Sequence, residues 1–139
     1  MTLLKRAKPH LGVYEKPFWA CVQKDELRLQ KCGSCDHMRY PPAAVCPRCL
    51  SDQYAWTQVS GRGKVVSWAV FHRKYLDLPV PYVVVSVALE EGPMLIGNFN
   101  ADRSSLRLDL PVHVIFEDAV GDDGQPWRIF QWAIAEDAT

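Results

Sequence analysis

Two Cys-x2-Cys pairs, Cys32/Cys35 and Cys46/Cys49, stand ten residues apart in this chain. Two residues between cysteines let both sulfurs of a tight turn face one metal, and ten residues are enough for a short excursion out and back. Four thiolates complete a tetrahedral zinc shell and leave no open position for a substrate. The spacing therefore predicts a structural zinc site that folds a segment too small to have its own core. Gly33 eases the first turn, Pro47 and Arg48 fill the second, and Pro41-Pro42 stiffens the excursion. Iron takes the same four ligands, and the spacing leaves that metal open. The fifth cysteine, Cys21, reads as an apolar filler on a helix face.

The rest of the chain bounds what surrounds the metal. It has 139 residues, 48% of them apolar and 23% charged, which suits a folded chain with material for a core. Lys+Arg and Asp+Glu both number 16, so the net charge is zero. A neutral chain lacks the basic footprint of a nucleic-acid binder, and no nucleic-acid partner is expected. No apolar run reaches the ~20 residues of a membrane helix. No apolar segment of a signal peptide follows the N-terminal charges. A reducing, cytoplasmic setting is expected, in which clustered cysteines serve as metal ligands.

Period-two patterning dominates after Gly61. Residues 1–30 read as a loosely held arm and a helix, with Pro17 in the first helical turn and Phe18, Cys21 and Val22 on one face. Residues 31–56 form the ribbon, entered by a short strand around Leu27 and Leu29. Residues 57–139 carry five strands: one from Val65 to Phe71, then Tyr82–Leu89, Met94–Asn98, Val112–Glu117 and Trp127–Ile134. In the first of these, Val65, Ser67, Ala69 and Phe71 are expected to share one face. Turns fall at Gly92-Pro93 and Gly121–Gly124. Five strands with a longer link after the third predict a mainly β chain ending in a five-stranded OB-fold barrel. An SH3-like barrel or small sandwich has the same periodicity.

Groups able to do chemistry are sparse outside the ribbon. The four histidines, His10, His37, His72 and His113, form no metal-spaced pair. His72-Arg73-Lys74 closes a long apolar strand and reads as an exposed strand end or as a place for an anionic ligand. No nucleophile elbow or phosphate loop is present, so a complete catalytic apparatus is not expected, and no catalytic residue is assigned. Phe18, Trp19, Trp127, Phe130 and Trp132 cannot all face one small core. They form either a partner interface or the packing between helix, ribbon and barrel.

Several stretches in order carry a resemblance. They are Phe18-Trp19, Leu29–Cys32, Tyr40-Pro41-Pro42, Cys46–Cys49, Val59–Val65, Phe71-His72-Arg73, Pro81–Val84, Leu89–Pro93, Leu110–Val112 and Val114–Asp118. Together they span residues 15–118. The chain resembles the acyl-CoA-associated proteins with an N-terminal rubredoxin-like zinc ribbon and a C-terminal OB-fold. These were long catalogued as a domain of unknown function. The resemblance implies a non-catalytic accessory subunit in a hetero-oligomer. Its partner would be a thiolase, a thiolase-like retro-aldolase or a hotdog enoyl-CoA hydratase, with the thiolase type first. It also implies a barrel beside the acyl-CoA. His72, Arg73 or Lys74 is expected near its phosphate or pantetheine only because cationic groups suit the anionic CoA head. The segment Gln125–Trp132 is more aromatic than the family pattern and suggests a partner surface or an aromatic substrate environment. Other readings are a single-stranded nucleic-acid-binding OB protein, an iron electron carrier, and an enzyme in its own right.

Overall fold

The computed structural model describes residues 4–74 and 78–136. The ends of the expected arm and C-terminal segment, 1–3 and 137–139, lie outside the described residues. The chain begins with β1 (Leu4–Lys5) and α1 (Glu15–Val22). A three-stranded antiparallel sheet follows, with β2 (Arg28–Cys32) between β3 (Met38–Arg39) and β4 (Tyr54–Gln58). The barrel strands are β5 (Arg62–Phe71), β6 (Tyr82–Leu89), β7 (Met94–Asn98), β8 (Pro111–Val120) and β9 (Pro126–Ile134). A 3₁₀ turn at Arg103–Ser105 occupies the link after β7. These are the mainly β class, the leading helix and the five OB-fold strands that the patterning predicts. Among the described residues no helix is long and apolar enough to cross a membrane.

Sheet order is β1-β8-β5-β6-β7, with β9 on the other side of β8. The sheet does not close into a full barrel: among the described residues β7 and β9 share no ladder, and one isolated parallel bridge, Phe99 to Trp132, spans the gap, with the Asn100 amide donating to the Trp132 carbonyl at 2.8 Å. A full ladder does not form here because β7 ends at Asn98 and the chain leaves for the 3₁₀ turn. A seam therefore remains between β7 and β9.

Alternation is cleanest in β6, where Val83, Val85, Val87 and Leu89 point inward and their neighbours do not. In β5 the predicted single face breaks. A bulge between Val65 and Ser67 places Val65 opposite buried Val87 but Ser67 opposite Ser86 on the outer face. One extra residue flips every later side chain, so Ala69 and Phe71 also face out. Gly63 lies so close to β6 that a Cβ there would come within 2.5 Å of the Ala88 carbonyl.

Two elements went beyond the sequence reading. The arm is not loosely held: Leu4 and Lys5 pair in parallel with Ala119 and Val120, because β8 runs on past Glu117 and offers a free edge. Residues 54–58 form β4, which pairs along the whole of β2.

Helix, ribbon and barrel share one core. Phe18 and Val22 of α1 are buried with Leu29 of β2, and these meet Val65, Val85, Leu95 and Trp132 from the barrel. The end of α1 is fastened to β9. The Gln23 side-chain amide donates to the Arg128 carbonyl at 3.0 Å and accepts from its amide at 2.9 Å. The Arg128 guanidinium bonds Asp25 and Asp118.

Candidate metal centre and aromatic cavity

The ribbon consists of the same knuckle made twice. In each, the amide two residues after the first cysteine reaches back to its sulfur: Ser34 to Cys32 Sγ and Arg48 to Cys46 Sγ, both at 3.4 Å. The residue four places on closes the turn onto the cysteine carbonyl, Asp36 at 3.1 Å and Leu50 at 2.9 Å. The cysteine amide then meets the carbonyl five places on, His37 in one knuckle and Ser51 in the other. A bond of 2.9 Å between the Ser34 and Ser51 hydroxyls ties the two turns together.

This repeat gathers the sulfurs. All four lie within 4.8 Å of one another, with Cys32–Cys49 at 3.5 Å and Cys35–Cys46 at 3.6 Å. A tetrahedron of zinc–sulfur bonds of about 2.3 Å has edges of about 3.8 Å, so the spacing fits one zinc ion. Charge points the same way. The amides of Cys35 and Ser34 draw the Cys32 thiol down to about 6. Cys35 is pushed up to about 12 despite the His37 amide, by burial and by the three sulfurs around it. Four sulfurs this close cannot all ionise without a cation, and a divalent metal removes that conflict. Cys32 and Cys46 are buried, while Cys35 and Cys49 face outward. The set is closed and structural, and it suits zinc; iron takes the same ligands.

The excursion between the cysteine pairs carries a polar network that the sequence reading did not single out. Gln30 is fully buried, exchanges two hydrogen bonds with the Ala43 backbone, and accepts from Arg39 Nε at 3.1 Å. Arg39 also donates to the Ala43 carbonyl and lies over the Tyr54 ring. The excursion between the cysteine pairs is clamped by this cluster. Alternation with Leu27 and Leu29 assigns Gln30 to the polar face, so nothing in the sequence marks its burial.

The five singled-out aromatics come together. Ring centroids are 5.4 Å apart for Phe18 and Trp19, 6.0 Å for Phe18 and Phe130, 5.2 Å for Trp19 and Trp127, and 6.4 Å for Phe130 and Trp132. Phe18, Phe130 and Trp132 are buried within the chain, while Trp19 and Trp127 remain half-exposed. The two half-exposed indoles border a cavity of about 740 Å³ over the β7/β9 seam, roofed by the arm. His72, Arg73 and Lys74 follow the end of β5, all exposed and outside the lining of that cavity. Cys21 is half-buried, with its thiol pushed up by burial.

Comparison with known proteins agrees with this architecture. Residues 19–55 match the family model described as the ChsH2 rubredoxin-like zinc ribbon domain, and residues 56–117 match the ChsH2 C-terminal OB-fold domain. A 3-oxo-4,17-pregnadiene-20-carboxyl-CoA hydratase alpha subunit of Mycobacterium tuberculosis is 31% identical over 117 residues, 83% of this chain. The chain spans 27% and 36% of the two hydratase alpha subunits that it matches. A DUF35 domain-containing scaffold protein of Methanocaldococcus jannaschii is 29% identical over 102 residues, covering 68% of this chain and 71% of that one. Among solved structures, a chain of the Ltp2-ChsH2(DUF35) aldolase superposes with a TM-score of 0.82 at 25% identity, covering 91% of this chain and 98% of that one. With the twin knuckles, the four gathered sulfurs and the five-stranded barrel, the chain belongs to the ChsH2/DUF35 family of zinc-ribbon and OB-fold proteins.

Proposed function

We propose that this chain is a non-catalytic accessory subunit that binds and stabilises an enzyme acting on a CoA thioester. The observation that carries this reading is the near end-to-end match with a chain of an aldolase complex, 98% of which is covered. The first partner to expect is a thiolase-type enzyme. The hydratase alpha subunits among the relatives favour a second reading, in which the partner is an enoyl-CoA hydratase. The closed thiolate shell gives the metal a structural role, so the reacting groups belong to the partner. Trp19 and Trp127 are the aromatic residues placed to meet that partner. His72, Arg73 and Lys74 form an exposed cationic strand end suited to the phosphates of CoA. The complex would work in the cytoplasm.

The test is co-expression of this chain with thiolase-like and hydratase-like proteins of its own cell, followed by size-exclusion chromatography. Elution as one hetero-oligomer with the thiolase-like protein, active only in the complex, is the expected outcome. Separate elution from every candidate would overturn the proposal. Assembly with the hydratase alone would select the second reading.

A further inference from the structure

The cavity over the β7/β9 seam has walls of two chemical kinds. Trp19, Trp127, Phe130 and Ile96 supply flat apolar surface, and Arg6 of the arm supplies charge. Its volume of about 740 Å³ lies in the range of small-molecule sites.

Arg6 is held in place and yet incompletely used. Its amide donates to the Val120 carbonyl at 2.8 Å, and its carbonyl accepts from Trp127 Nε1 at 3.0 Å. Its Nη2 bonds Asn98 Oδ1 on β7. Its Nε is buried and has no hydrogen-bond partner among the described residues. Behind the wall at Gly97 a second buried donor is unpaired among the described residues. Trp132 is fully buried and its Nε1 also lacks an acceptor. That nitrogen lies against Gly97, another wall residue, so close that a Cβ on Gly97 would sit 3.0 Å from it. Buried donors are ordinarily paired. The Trp132 nitrogen is sealed behind Gly97 and outside the lining, so the unpaired donor that belongs to the cavity is that of Arg6.

Electrostatics decides the sign of that acceptor. Burial lowers the Arg6 pKa, yet the group remains a cation at neutral pH. It bonds a neutral amide, Asn98, and the carboxylate that acts on it, Glu117, already accepts from Asn100 and Gln131. Lys5 stands beside it in the lining, and Asp122 is the one acidic residue there. A guanidinium with one edge already used suits a monoanion better than a phosphate dianion, which needs more donors. We infer that this cavity is a binding site for a small organic carboxylate with a flat apolar body. The carboxylate accepts from Arg6, and the body lies against Trp19 and Trp127. The site is lined by this chain alone but shares Trp19 and Trp127 with the surface proposed to meet the partner, so it is tested on the chain without that partner.

The experiment titrates the full-length zinc-loaded chain with naphthalene-2-carboxylate and with its uncharged amide, naphthalene-2-carboxamide, by calorimetry. Saturable binding with the acid about tenfold tighter is expected, since charge-assisted hydrogen bonds are the stronger kind. Arg6→Gln should erase that preference, with zinc content and circular dichroism as folding controls. In the wild-type chain, the side-chain NMR signal of Arg6 Nε–H should shift with the acid and not with the amide. This readout needs no variant. Absence of saturable binding, equal affinity for acid and amide, or an unmoved Arg6 signal would overturn the inference.

Discussion

Asp36 and Leu50 occupy equivalent places in the two zinc knuckles, each with φ in the left-handed region, at 63° and 65°. Both close their turn onto the carbonyl of the cysteine four residues earlier. Side chains other than glycine are strained there. Leu50 is 75% exposed, so its side chain contributes little burial in return. Relief of roughly 1–2 kcal/mol of strain, set against roughly 0.5–1 kcal/mol of added backbone entropy cost, predicts that Leu50→Gly stabilises the chain by about 0.5 kcal/mol. Chemical denaturation of the zinc-loaded protein measures it.

Metal removal should reach beyond the ribbon. Leu29 leads into Cys32 and packs in the same core as Phe18 and Trp132. A ribbon that unfolds therefore uncovers one side of the barrel. A strong chelator, or Cys46→Ser, should lower the melting temperature of the whole chain and open β2–β4 to rapid hydrogen exchange. Intact protein mass spectrometry under native conditions should show a single zinc ion per chain, lost on acidification as the thiolates protonate.

The bond pair between Gln23 and Arg128 fastens helix to barrel. Both groups lie near the surface, so Gln23→Ala should cost about 1 kcal/mol. The loss should appear as faster amide exchange at the end of α1 and at Arg128, with the remainder of β9 unchanged.

The aromatic cluster divides by burial. Trp132 is fully buried, and Trp132→Ala should destabilise the chain by about 3–5 kcal/mol. Trp127 is half-exposed and bonds the arm through Nε1. Trp127→Ala should cost about 1–2 kcal/mol and leave a folded, zinc-loaded chain. If the indole meets the partner, this variant alone should lose co-elution. Unchanged assembly would remove Trp127 from that interface.

What the sequence by itself determined is what local spacing determines. The two cysteine pairs specify a four-sulfur metal site because a Cys-x2-Cys turn is a local object. The alternation of β6 identifies its buried face because the pleat has a period of two. What lay beyond reach depends on neighbours distant in the chain. Nothing local marks Leu4–Lys5 as a strand; the free edge of β8 makes it one. The bulge after Val65 is invisible without β6 to count against, and it turns half of β5 outward. The five aromatics were legible as a group, but which of them are covered was decided by how α1, the ribbon and β9 close over one another. The four cysteines, read first as a closed set of ligands, needed no such help. Only the tertiary structure showed that the ribbon they hold shares its core with the barrel, because that core is built from contacts between residues far apart in sequence.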